Sequence, residues 1–160
     1  SLLRVLEASG GEPDIIQLDE IIGYGLEVME SDPFSPSNIN FLTYAYGMVG
    51  DAENEVINSR RFTEILDVIA SSGDGLSDKT PWQVINSTHA KDFLTARGLE
   101  ISRRMVVTIT VEYVRLKKAD NGVKGYYFDF GRMYMKPPEN IPEKRSQGLK
   151  FEHIGPKYRE

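Results

Sequence analysis

Residues 35–75 read SPSNINFLTYAYGMVGDAENEVINSRRFTEILDVIASSGDG, and this stretch decides the first half of the fold. Ser35 followed by Pro36 is typical of a helix start, because serine caps free backbone N–H groups and proline tolerates the first helical turn. Apolar residues then recur at steps of three and four, at Ile39, Leu42, Tyr46 and Val49. Gly50 is predicted to end this helix and Asp51 to cap the next one.

The second helix of the pair is predicted to run to about Ser71. Its expected buried stripe consists of Val56, Phe62, Ile65, Leu66 and Ile69. Two helices that are joined by a turn of two residues must lie antiparallel. The stretch is therefore a helical hairpin.

Two more helices are predicted ahead of the hairpin. A short one covers Leu2 to Leu6, and a longer one opens at Pro13-Asp14 and is ended by Ser31-Asp32-Pro33. Gly23 and Gly25 lie in the middle of the longer segment, where each weakens a helix by about 1 kcal/mol relative to alanine. Because glycine also lets helices pack closely, we keep the prediction of a helix.

The pattern changes to a period of two between Met105 and Leu116, as in a half-buried strand rich in β-branched residues. One face is expected to carry Val107, Ile109, Val111 and Tyr113, and the other Thr108, Thr110 and Glu112. Asp120-Asn121-Gly122 predicts a tight turn, and the chain is expected to return as a strand from Tyr126 to Tyr134. This part is a β-hairpin.

A short strand is also predicted from Trp82 to Ile85. A short helix should follow it, capped by Ser87 or Thr88 and closed by Gly98. Together the elements predict an α+β fold, with N-terminal antiparallel helical hairpins packed on a small antiparallel β-meander. The 160 residues suit a single domain, with a hairpin part (1–72), a sheet part with one short helix (73–136) and an extended tail (137–160).

Composition narrows the classes of function. The net charge of −5 argues against broad contact with nucleic-acid phosphates and with anionic membranes. The chain has no cysteine, which excludes disulfides, zinc thiolates and a cysteine nucleophile. No apolar run approaches the ~20 residues that span a bilayer. Because the chain begins with Ser1 rather than Met, we interpret it as a trimmed or mature product that has lost any targeting segment.

Several stretches resemble the family called domain of unknown function 4919. They are Ser72-Gly73-Asp74-Gly75 with Ser77 and Thr80, Val84-Ile85 before a short helix, the hairpin residues Tyr44, Ala45, Tyr46, Gly50 and Asp51, and Tyr127-Phe128-Asp129. The resemblance covers roughly Asp32 to Met135. It implies an exported protein of Bacteroidetes, periplasmic or at the cell surface, with helices similar to tetratricopeptide hairpins. It implies no activity, so no functional residue is transferred from it.

The loop after the hairpin is a candidate ligand site. Asp74, Ser77 and Asp78 could offer oxygen atoms to an ion, and Trp82 could offer an aromatic face to a ligand. A calcium site needs six to eight oxygens, more than this loop supplies. The favoured interpretation is a structural turn in which Asp74 binds nearby backbone N–H groups.

Aromatic residues give a second candidate, an interface that includes Tyr44, Tyr46, Tyr126 and Tyr127. Tyr126 and Tyr127 are adjacent in a strand, so their side chains must leave opposite faces of the sheet. Only one of them can join the core. The other is either an interface anchor or packed beneath another segment.

Charged residues offer weaker candidates. Basic residues cluster around one predicted strand, at Arg103, Arg104, Arg115, Lys117 and Lys118. These side chains either surround a site for an anionic partner or glycan, or they keep the end of the strand solvated. Glu112 and Asp129 face each other across the hairpin in one possible register. His89 lies too close to Ser87 in sequence for the two to be interpreted as base and nucleophile.

The leading hypothesis is a non-enzymatic module that binds a protein or peptide partner, because no catalytic residues occur at a recognisable spacing. It requires an exposed apolar patch. The alternative is a protein of the cell envelope that binds a small ligand, an ion or a carbohydrate in a concave pocket. We expect no cofactor, no nucleic-acid partner and no membrane-spanning segment.

Overall fold

The structure is a computed structural model that describes residues 14–134. The short helix predicted at Leu2 to Leu6 and the tail 137–160 lie outside the described residues. Within them the chain begins with three helices, α1 (Ile15–Ser31), α2 (Pro36–Met48) and α3 (Ala52–Ser71). The predicted α2–α3 hairpin is confirmed.

Each of these helices begins at a side chain that accepts a hydrogen bond from the backbone N–H three residues further on. These caps are Asp14, Ser35 and Asp51. They satisfy donors that the first helical turn leaves free, as the sequence predicts.

Gly25 explains how closely α1 approaches α2. A Cβ atom at this position would lie 2.5 Å from Leu42 Cδ2 and 2.9 Å from Leu42 Cγ. The Asn38 side-chain amide donates to the Gly25 carbonyl oxygen at 3.0 Å across the same contact. Gly23 has nothing within 4 Å of its notional Cβ, so only the second glycine serves close packing.

The second half of the described chain forms a four-stranded sheet with one helix. Its elements are β1 (Trp82–Gln83), α4 (Ser87–Ala96), β2 (Ile101–Val106), β3 (Val111–Asp120), β4 (Val123–Asp129) and a 3-10 helix (Gly131–Tyr134). The strand order is β1-β4-β3-β2. Strands β2, β3 and β4 form an antiparallel meander, in which β2 was not predicted as a separate strand, and β1 pairs with β4 in parallel. The α+β class is confirmed, and the sheet is mixed rather than purely antiparallel.

The strand predicted from Met105 to Leu116 is wrong, because a turn interrupts it at residues 107–110. The Thr108 hydroxyl accepts from the backbone N–H groups of Thr110 and Val111, and the Val111 carbonyl accepts from two N–H groups on the other side of the turn. The β-branched residues Val107 and Ile109 continue the alternating pattern through the turn. The side-chain hydrogen bonds of Thr108 override that pattern.

The core lies between the sheet and the helices α3 and α4. It includes Ile69, Trp82, Phe93, Leu94, Val114 and Phe128. Trp82 meets Phe93 edge-to-face, with ring centroids 4.8 Å apart. The inward face of β3 therefore carries Val114 and Leu116, whereas Tyr113, on the face predicted to be apolar, points away from this core.

Several predicted boundaries also need correction. Asn86, rather than Ser87 or Thr88, caps α4, because its carboxamide oxygen accepts from two backbone N–H groups. The strand predicted to end at Tyr134 ends at Asp129. Val56, predicted to lie in the buried stripe of α3, is 55% exposed. Among the helices that the structure describes, none is long and apolar enough to cross a bilayer.

Candidate functional site

A cavity of about 610 Å³ opens beside α3, and we call it the α3 groove. One wall is α3 itself, and a second wall is the connection between α1 and α2. A third wall is the end of β1 and the residues after it. Most of the lining is apolar, with Phe34, Ile65, Val68, Val84 and Ile85 among its residues.

Three large side chains of the α3 groove remain in solvent although they surround the same cavity. Phe34 and Ile85 are about half exposed, and Val68 is 62% exposed. They come from three separate segments of the chain. The fold thus assembles an exposed apolar surface that no single segment shows.

His89 is a polar residue of the lining, and it is hydrogen-bonded to Asp32, 57 residues away in sequence. His89 is 1% exposed, and its Nε2 lies 2.9 and 3.0 Å from the two carboxylate oxygens of Asp32. Because a carboxylate only accepts, Nε2 must carry the hydrogen and donate. The Asn86 amide also donates to Asp32, at 3.5 Å.

This pair holds two walls of the α3 groove together. Asp32 is the C-cap of α1, and His89 lies in the first turn of α4. Among the described residues, the side-chain acceptor for the His89 Nε2–H is the carboxylate of Asp32, because the Asn86 amide nitrogen, 3.2 Å from Nε2, is itself a donor. The arrangement orients the imidazole and joins two helices.

Charged residues of both signs rim the groove. Arg61 and Glu64 lie on one side, on α3, and Arg132 lies on the 3-10 helix. All three are exposed. A ligand in the groove would therefore meet an apolar floor with ionic contacts at the edges.

The predicted ligand loop is held by its own hydrogen bonds. Asp74 Oδ1 accepts from the Thr80 hydroxyl at 2.6 Å and from the Leu76 backbone N–H at 2.9 Å. These bonds, that of Thr80 first, hold the pKa of Asp74 below its ordinary value. Ser77 joins the same network through Thr80, at 2.9 Å between the two hydroxyl oxygens.

The other two residues of that candidate site lie apart from the network. Asp78 is exposed, and Trp82 is buried in the core with its indole N–H donating to the Gly73 carbonyl at 2.9 Å. Over the range 14–134, no three acidic or histidine side chains are placed to hold a metal ion. The geometry matches the structural turn that the sequence favours.

The four tyrosines of the predicted interface do not share one surface. Tyr44 is exposed on α2, and Tyr46 is half-buried. Tyr126 is buried and donates its hydroxyl hydrogen to Asp120 at 2.6 Å; burial, then this carboxylate, raises the pKa of Tyr126 to about 12. Tyr127 leaves the opposite face, as predicted.

Glu112 and Asp129 do not form the carboxylate pair considered above. The register places Glu112 opposite Phe128, and Asp129 opposite Val111, so the two side chains leave opposite faces. Glu112 is 9% exposed and accepts from Arg104 at 2.7 Å. Burial raises the pKa of Glu112, and the guanidinium opposes part of that shift.

The groove and its His89–Asp32 pair are what sequence reasoning missed. Ser31-Asp32-Pro33 is visible as a helix end, and His89 as a residue of a short helix, but no spacing rule joins them. One signal was available: a carboxylate at a helix C-terminus is unfavourable unless a cation or a strong donor lies near it.

The comparisons with known proteins point to one family. A family model described as Domain of unknown function (DUF4919) matches residues 12–137. No curated protein and no solved structure matches the chain.

Proposed function

We infer that this chain, which belongs to the Domain of unknown function (DUF4919) family, is a non-enzymatic protein- or peptide-interaction module. Its binding site is the α3 groove. The observation that supports this function is the exposure of Phe34, Val68 and Ile85 around one cavity. A contiguous, concave apolar surface with a polar rim is typical of a binding site.

The free energy available at this surface suits a peptide ligand. Complete burial of a large apolar side chain contributes about 1.5–3 kcal/mol. Since Phe34, Val68 and Ile85 are already partly covered, a ligand would gain about 1 kcal/mol from each, and a similar amount from its own apolar residues. The sum of these free energies corresponds to a moderate binding affinity, which is typical of transient partners.

An amphipathic helix fits the groove better than an added strand does. β1 is the edge strand beside the groove, but it has two residues, and the Gln83 backbone N–H already donates to the Ser72 hydroxyl at 2.7 Å. Strand addition needs free N–H and C=O groups along the edge. A helix needs only an apolar groove and anchors one turn apart.

The rim charges favour a ligand that carries both signs. Arg61 and Arg132 would attract acidic residues that flank the apolar anchors, and Glu64 would attract a basic one. These contacts set orientation and association rate more than affinity.

A small apolar ligand in the same cavity is the second candidate. A volume of about 610 Å³ falls within the 300–1,000 Å³ that is usual for small-molecule sites. A small apolar ligand carries no charge that the rim residues could attract. Arg61→Ala and Arg132→Ala should therefore weaken a peptide ligand and leave a small apolar ligand unaffected.

The test is a selection of helical peptides against the purified protein, followed by fluorescence anisotropy with the selected peptide. Val68→Asp should weaken binding by about tenfold or more, because it places a charge on the apolar floor. Val56→Asp is the matched control, since Val56 is 55% exposed on the same helix but does not line the groove. Peptides that bind both variants equally well would contradict the proposed site.

A location outside the cytoplasm belongs to the same proposal. It rests on the resemblance to exported proteins. Fractionation of the native host tests it, with the protein expected in the periplasmic or surface fraction. Recovery in the cytoplasmic fraction alone would contradict it.

A further inference from the structure

The last residue of β2 and the turn that follows it expose apolar side chains that the fold does not use. Val106 is 86% exposed and Ile109 is 88% exposed, more than any other large hydrophobic residue among those described. The turn is held by backbone groups and by the Thr108 hydroxyl, so it does not require aliphatic side chains at either position. We call residues 106–109 the hairpin tip.

The strands behind the hairpin tip carry a charge opposite to that of the rest of the chain. Residues 101–120, from the start of β2 to the end of β3, contain five basic residues and two acidic residues, a charge of +3. Because the whole chain carries −5, the remaining residues sum to −8. The β2–β3 hairpin is therefore basic although the net charge of the whole chain is negative.

Two of these arginines are close neighbours without a carboxylate partner in the described chain. Arg103 lies opposite Arg115 in the β2–β3 register, and both are exposed. Arg104 pairs with Glu112, and Lys117 pairs with Glu100. Like charges that face each other across strands are unfavourable, and an external anion between the two guanidinium groups would relieve the repulsion.

We propose that the β2–β3 hairpin docks the protein on an anionic lipid surface, with the hairpin tip among the acyl chains and Arg103 and Arg115 at the phosphates. An aliphatic tip in front of cationic side chains matches the two layers of a membrane interface. The acidic remainder of the chain is repelled by the same surface, which orients the hairpin toward the lipid.

The chemistry of the tip favours lipid over nucleic acid. A nucleic-acid surface offers phosphates but no apolar layer for two exposed aliphatic side chains, and binding to single strands uses aromatic stacking instead. The hairpin tip does not line the α3 groove, so this inference stands independently of the proposed peptide site.

Sedimentation with vesicles tests the proposal. The protein should sediment with vesicles of phosphatidylcholine and phosphatidylglycerol in equal parts, and not with pure phosphatidylcholine. Added salt should reduce the bound fraction, because it screens the arginine–phosphate attraction. Failure to bind the mixed vesicles, or equal binding to both compositions, would overturn the proposal.

Variants separate the two parts of the surface. Val106→Ser with Ile109→Ser should weaken binding to the mixed vesicles by about tenfold or more, through loss of apolar insertion. Each of Arg103→Gln and Arg115→Gln should weaken it by about fivefold, since one basic side chain near an anionic surface is attracted by about 1 kcal/mol.

Val56→Ser, which removes an apolar side chain that is 55% exposed on α3, should bind like the wild type. Val68→Asp should also keep its vesicle binding, so a failure of the groove proposal remains distinguishable from a failure of this one. Vesicle binding that survives the double serine change would contradict the role of the hairpin tip. All these positions are exposed, so thermal unfolding should show that the variants fold.

Discussion

Gly23 and Gly25 offer a sharp test of how α1 packs, because the same substitution should have opposite effects at two positions in one helix. Alanine at Gly23 has nothing within 4 Å of its Cβ atom, so it should add only helix propensity. That gain is about 1 kcal/mol in the free energy of unfolding. Alanine at Gly25 gains the same propensity but puts its Cβ atom 2.5 Å from Leu42 Cδ2.

The cost at Gly25 follows from the surroundings of Leu42. That side chain is 1% exposed, so it has no open space into which to move. Overpacking of this kind costs about 1–3 kcal/mol, which exceeds or cancels the propensity gain. Gly25→Ala should therefore be less stable than Gly23→Ala by about 1–3 kcal/mol.

Urea denaturation of the two variants and the wild type measures this difference directly. In a Leu42→Ala background the two alanine substitutions should become nearly equal, because the obstructing atoms are gone. Equal stability of Gly23→Ala and Gly25→Ala in the wild-type background would refute the close approach of α1 to α2. The result matters for function, since α1 ends at Asp32, which pairs with His89 in the wall of the groove.

Three further predictions concern ionisable groups. Asp32→Ala should lower the free energy of unfolding in urea by about 1–3 kcal/mol, because it leaves the buried His89 N–H without its acceptor. Asp32→Asn should cost less, because the amide oxygen still accepts. Equal costs for the two variants would contradict the donor role of Nε2. Burial raises the pKa of Glu112 above its ordinary 4.5, so the carboxyl holds its proton more tightly in the native state than in the unfolded state. This tighter proton binding stabilises the native state at low pH, and the stabilisation is lost as the pH rises above 4.5. The stability of Glu112→Gln relative to the wild type should therefore improve between about pH 4 and about pH 7, and a pH-independent difference would count against the buried carboxyl. The pKa of Asp74 is lowered, so the ionised carboxylate stabilises the native state above its ordinary pKa of 3.8, and this stabilisation is lost as the pH falls below that value. The melting temperature of Asp74→Ala should therefore lie below that of the wild type at neutral pH and approach it in acid. An unchanged melting temperature at neutral pH would contradict the structural role of the loop.

The helices could be predicted because their signals are local. Ser35, Asp51 and Gly50 fix the ends of α2 and α3 through side-chain caps and a positive φ of 78° at the glycine. The turn at Asn121-Gly122 is equally local, with φ of 47° and 86°. Each of these features depends on residues within a few positions of one another.

The sheet was predicted less well because its errors depend on distant contacts. The alternation of apolar residues through Val107 and Ile109 conceals a turn, and the parallel pairing of β1 with β4 joins segments more than forty residues apart. Glu112 alternates as if it faced solvent, but Arg104 makes its burial tolerable.

The candidate site could not be predicted from one sequence, because it also depends on contacts between distant segments. The α3 groove takes its lining from five stretches of chain, and the hydrogen bond from His89 to Asp32 joins positions 57 residues apart. What the sequence does show is the apolar character of Phe34, Val68 and Ile85. Their exposure, which makes them a site, is a property of the fold.

The measurement that tests the central claim most directly is an NMR titration of the isotope-labelled protein with a peptide selected for binding. The largest chemical-shift changes should fall on residues of the α3 groove, including Phe34, Val68 and Ile85, with Val56 little affected. Shifts confined to the hairpin tip or to the exposed face around Tyr44 would contradict the groove as the binding site.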